Sequence, residues 1–188
     1  NATVTEDSGT DFTGGSVLTG GLTLASNGAI TDDASADLAV TGTASLNAVA
    51  NAITLGDNGA NNDLNFGGLT FSTTGGAVSI TEDSGTQLTG ASAGDSLGLV
   101  SAGAVTDGAG ASVTIDNGNA SITGTSILLA DNAGDVLSVG GNASLTASGG
   151  GAITVAAAGA ANFATLTLNT AGAVAITEDS ATTLAGAS

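Results

Sequence analysis

The chain has 188 residues and a narrow alphabet: it contains no Lys, Arg, His, Pro, Cys, Met, Trp or Tyr, and its 17 Asp and Glu give a formal charge of -17. Without Cys there are no disulfides or thiolate metal sites, and without Lys or Arg there are no phosphate contacts, so nucleic acid and anionic lipid heads are excluded as partners. No apolar run approaches the ~18 residues of a membrane span and no signal peptide is visible, so membrane insertion is not expected.

Disorder is the first alternative for so charged a chain, but Leu, Ile, Val and Phe together exceed the ~20% below which disorder is expected, and they recur with a period. The chain opens on Val4-Thr5-Glu6-Asp7-Ser8-Gly9-Thr10, leading to Phe12. The same stretch returns at residues 76–88 and 172–184; the Thr-Glu-Asp-Ser copies begin at Thr5, Thr81 and Thr177, 76 and then 96 residues apart. Short apolar-small-apolar triplets lie between them, as expected for strands with one buried face.

These triplets fall into three columns. The first ends at Leu24, Leu46, Phe71, Leu99, Ile122, Leu145 and Leu168. The second, a Gly-Ala-Ile/Val signature, is anchored at Ile30, Ile53, Val78, Val105, Ile127, Ile153 and Val174, with Val4 as an earlier member. The third runs Phe12, Val40, Phe66, Leu88, Ile115, Val139, Phe163 and Leu184. Gly, Asn, Ser and Asp clusters such as Ser26-Asn27-Gly28 separate them as turns. No 3.6-residue spacing persists, and 31 glycines oppose helix.

The predicted fold is all-β: a right-handed parallel β-helix, or β-solenoid, with three short strands and about 24 residues per coil, and about eight coils. It reads as one continuous segment over 1–188. Repeat units fall at about 17–92 and 93–188, the second carrying one extra coil near 142–165. A solenoid absorbs a whole coil because each coil touches only its neighbours; immunoglobulin-like or cadherin-like modules are the alternative fold. Both ends fall inside repeat units, so the chain reads as a slice of a longer array.

The Leu-Thr-Leu, Gly-Ala-Ile-Thr and Asn-Ala-Ser-Leu-Thr pattern resembles the repeat regions of large bacterial exoproteins of the filamentous-haemagglutinin type. The resemblance implies a β-helix secreted to the cell surface or beyond, used in adhesion or in surface matrices. Those repeat regions have no motif-defined site, so no functional residue carries over. The family's amino-terminal secretion domain has no counterpart here.

Fifteen of the 17 acids lie between the second and third columns; Asp95 and Asp116 do not. Stacked coils would line these acids along one edge. Eight coils at roughly 4.8 Å span about 38 Å, one charge per roughly 2.5 Å, against about 1.7 Å in duplex DNA. In the simpler reading these acids solvate the surface and discourage sideways sticking. In the sharper one, neighbouring turns hold Ca²⁺ through carboxylates and carbonyls. The candidate ligands are Asp57 and Asp63 in Asp-Asn-Gly-Ala-Asn-Asn-Asp, and Asp131 and Asp135 in Asp-Asn-Ala-Gly-Asp.

Catalysis is not expected. Polysaccharide hydrolases on β-helices use paired carboxylates, but there is no His base, no cation to bind a uronate and no Trp or Tyr to stack on sugar. Ice binding needs ranked Thr-x-Thr; Thr3-Val4-Thr5 and Thr41-Gly42-Thr43 differ in phase. Asn1, Asn119 and Asn142 begin Asn-Ala-Thr/Ser sequons that read as coil-turn Asn in a bacterial product. The function expected is a rigid extracellular spacer or fibre, bacterial and secreted, that continues end to end or self-associates. A host-surface or matrix glycan is the further partner considered.

Overall fold

Alternation along each short strand decides which side chains face inward. In Leu22–Ser26 the residues Leu22, Leu24 and Ser26 are buried while Thr23 is exposed. In Ser96–Ser101 the residues Leu97, Leu99 and Ser101 are buried while Val100 is exposed. A strand with one apolar face must cover it, and a chain that winds on itself covers it with its own next coil.

The computed structural model describes residues 1–56 and 63–186. Its strands form one parallel sheet wound into a solenoid. One ladder holds Ala2, Leu22, Ala44, Leu69 and Leu88 in register. A second holds Thr10, Ile30, Ile53, Val78, Leu97, Ala120, Ala143, Leu166 and Leu184-bearing strands in succession. These are nine levels, hence about eight coils. The rise per coil takes between 18 residues (Thr165 to Thr183) and 26 residues (Leu38 to Leu64). At roughly 4.8 Å per level the ladder is about 38 Å long.

The interior is a stack of like on like: Leu55, Ile80, Leu99, Ile122 and Leu145 lie directly over one another, all fully buried. Each such Leu or Ile contributes about 1.5–3 kcal/mol by leaving water. In the coils with the longest strands, Asp37–Asn47, Asp63–Ser72, Val136–Ala147 and Ala160–Asn169, the third column bends straight into the first. The register shifts at those bends, between Val40 and Thr43 and between Val139 and Asn142. Among the described residues no helix is long and apolar enough to cross a membrane.

The structure corrects one expectation about the columns. They do not run unbroken. The second column stacks as Ile30, Ile53 and Val78, but the residue over Val78 is Leu97, from the first column. The first column stacks as Leu22, Ala44 and Leu69, but Leu69 is followed by Leu88 and then Asp107, from the third and second columns. The exchange happens at 81–84, the middle Thr-Glu-Asp-Ser copy. The cause is length: Val78 and Leu97 are 19 residues apart, whereas Leu97 and Ala120 are 23 apart. The shorter coil has no room for a full third face.

The single acidic edge is corrected with it. Asp32 stands on the ladder of Phe12, whereas Asp107 stands on the ladder of Leu88 and Leu69. The acids therefore occupy different edges before and after the middle copy, and several are not on a surface ridge at all: Asp32, Glu82 and Asp135 are buried.

Candidate functional site

Two acidic turns stand out, and they are built differently. The first is the middle Thr-Glu-Asp-Ser copy. Strand Ala77–Glu82 carries Val78, Ile80 and Glu82 inward by strict alternation, so the Glu side chain enters where an apolar residue would otherwise sit. Glu82 is only 1% exposed. Its Oε1 accepts from the Phe66 amide at 2.8 Å and from the Ser84 hydroxyl at 3.0 Å, and its Oε2 accepts from the Thr86 hydroxyl at 2.5 Å. Beside it the Asp83 Oδ2 accepts from the Leu64 amide at 2.9 Å, while the Asp83 amide donates to the Leu64 carbonyl. Burial pushes the Glu82 carboxyl up from its ordinary value, against the hydrogen bonds from Thr86, Phe66 and Ser84. In the first copy Glu6 is held below its ordinary value by the Ser8 hydroxyl and amide. Coverage by the fold separates the two.

The upper side of the motif repeats between copies. The Ser26 and Ser101 hydroxyls donate at 2.7 Å to the carbonyls of Ser8 and Ser84. The amides of Gly28 and Gly103 donate to the same carbonyls. A Cβ on Gly28 would lie 2.5 Å from the Gly9 nitrogen, and one on Gly103 would lie 2.8 Å from the backbone of Gly85. Only glycine admits this approach.

The second turn lies one coil further on. Asp107 ends Val105–Asp107, and Asp131 and Asp135 flank the turn of the next coil. A carboxylate oxygen from each lies within 4.8 Å of the others. Asp135 is 1% exposed, and its two oxygens accept from the Gly110 amide at 2.6 Å and the Asn132 amide at 2.9 Å. The Oδ2 of Asp107 accepts from the Ala130 amide at 2.7 Å, while its Oδ1 is sealed from solvent and has no hydrogen-bond partner. Burial, then the charges of Asp135 and Asp131, push the Asp107 carboxyl up to about 6.

Of the four carboxylates proposed from the sequence as Ca²⁺ ligands, Asp131 and Asp135 come together. Asp63 does not join a group of three acids among the described residues; it is exposed, at the start of a strand, opposite Asp37. Asp57 lies outside the described residues. The third member, Asp107, was not anticipated. A signal existed: one coil before Asp131, the Val105-Thr106 pair takes the register of Ile127-Leu128, which carries the following Asp107 toward the Asp131 turn.

A protein family described as repeats of unknown function (DUF5649) matches residues 1–73, a stretch that begins with the first Thr-Glu-Asp-Ser copy and stops short of the second. No curated protein and no solved structure matches the chain. The family match and the stacked coils agree that this is a repeat protein folded as a β-solenoid.

Proposed function

We propose that this chain is a segment of an extracellular bacterial rod, a rigid spacer or surface fibre of the kind its sequence pattern resembles in filamentous-haemagglutinin-type exoproteins. The observation behind the proposal is the ladder itself. It rises through nine levels on backbone hydrogen bonds and apolar stacks that local bending cannot break singly. An alphabet without Lys or Arg leaves trypsin-like proteases no target. In this reading the chain holds distance and presents surface, and it has no catalytic role; continuation end to end, self-association and adhesion to a glycan belong to it. Immuno-gold imaging of intact cells with antibody to this chain tests it: label on surface rods or on a shed matrix is expected, and label confined to the cytoplasm contradicts it.

The Asp107–Asp131–Asp135 group favours a second role, binding Ca²⁺ between two coils. Oxygens sharing one Ca²⁺ at 2.3–2.6 Å lie at most about 4.6–5.2 Å apart, and these fall within that limit. Three carboxylates meet here in a chain with no cationic side chain to balance them, and Asp107 presents an oxygen with no partner. Oxygen donors suit a hard cation. Calorimetric titration with Ca²⁺ is expected to give binding heat that Asp107→Asn removes. Absence of heat and of any thermal shift at millimolar Ca²⁺ contradicts it.

A further inference from the structure

We infer that Thr-Glu-Asp-Ser is a phase-shift element, in which two carboxylates stand in for a missing strand and let the coil pattern step round the solenoid by one face. The third-column part of Asp63–Ser72 has a strand beneath it, the corresponding part of Asp37–Asn47, but none above it. Its upward-facing amides at Leu64 and Phe66 would be orphaned, and an unpaired buried amide is strongly disfavoured. The Asp83 and Glu82 side chains accept both. The face therefore ends without an unsatisfied edge. Relieved of building that face, the chain turns directly into Thr86–Leu88, which lies on the first-column residue Leu69.

The third copy does the same. Glu178 Oε1 accepts from the Phe163 amide at 2.9 Å, and the Asp179 amide donates to the Ala161 carbonyl. Then Leu184 lies on Leu166, as Leu88 lies on Leu69. On its upper side the first copy matches the second: Ala2–Glu6 supports the first column, Thr10–Phe12 the second and Gly15–Leu18 the third, just as Ala77–Glu82, Thr86–Leu88 and Ala91–Gly94 do. Each copy is thus second column to the coil below or first column to the coil above. From the first copy to the second the chain makes three coils plus one face, and from the second to the third four coils plus one face. The shift is one face whether or not the extra coil is present. The copies thereby set which edge of the rod shows its acidic turns.

Amide hydrogen exchange on the full chain tests this, with the Phe163 amide as internal reference. In the unaltered protein the Phe66 and Phe163 amides are expected to be protected although no strand covers them. Glu82→Ala is expected to speed exchange at Phe66 at least tenfold while Phe163 is unchanged. Glu82→Gln, whose amide oxygen still accepts, is expected to keep Phe66 protected. Unchanged protection at Phe66 in Glu82→Ala overturns the inference. Should Glu82→Ala not fold, Glu82→Gln decides: a folded chain with Phe66 protected supports the cap, and loss of protection or of folding overturns it.

Discussion

The turn at Glu82 and the turn at Asp107 both put carboxylates into the same narrow fold, yet only one completes itself. At Glu82 the oxygens face an amide and two hydroxyls of the chain, and the group closes. At Asp107 the carboxylate faces two others, and one oxygen finds no donor. A buried charge met by donors serves as a structural plug, whereas a buried charge met by like charges calls for a proton or a cation. The difference lies in the neighbours, since residue type and depth are alike.

The sharpest way to break the comparison is to remove the closed carboxylate. Glu82→Ala strands the Phe66 amide and two hydroxyls, and is expected to lower unfolding stability by about 2–4 kcal/mol, measured by denaturant melts. Gly103→Ala attacks the same motif from above, where its Cβ would press on the Gly85 backbone at 2.8 Å; a loss of about 1–3 kcal/mol is expected.

The open group should respond with the opposite sign. Asp107→Asn without divalent cations is expected to stabilise the chain by on the order of 1 kcal/mol, because it removes one of three like charges. The same change should abolish any rise of melting temperature with Ca²⁺. Destabilisation by Asp107→Asn in chelator would place this turn in the closed class instead.

The smallest effect is the pH dependence of Glu82. Its carboxyl is raised in the folded chain by burial, so the folded state holds that proton more tightly than the unfolded state. Its contribution to stability is complete below the ordinary Glu value and is lost as pH rises through the raised one. Stability should therefore fall as pH rises across that window, and Glu82→Gln should flatten this part of the slope, read from thermal melts at stepped pH.

The fold was largely legible because a strand with one buried face leaves a period of two, as in Leu22-Thr23-Leu24, and because stacked coils repeat it at similar spacing. The exchange of columns was not. Glu82 and Asp83 read as turn residues because acids usually are, and alternation alone does not announce that Glu82 continues the inward row of Val78 and Ile80. The 19-residue rise from Val78 to Leu97 was visible as a short coil, but a short coil can lose a loop or a face. The hydrogen bond from Phe66 shows which. The carboxylate group was half legible: Asp131 and Asp135 share one turn, but Asp107 reaches them only through stacking.

The chain has no cysteine, so paired substitutions report its stacking directly. Ser79 and Gly98 are opposite one another on outward-facing strand positions, at the ~5 Å a disulfide spans. Ser79→Cys with Gly98→Cys is expected to cross-link rapidly on mild oxidation, while Thr70→Cys with Gly98→Cys, the pair that unbroken columns would bring together, is not. A reversed result, with 70–98 linked and 79–98 free, would contradict the exchange of columns at Thr-Glu-Asp-Ser.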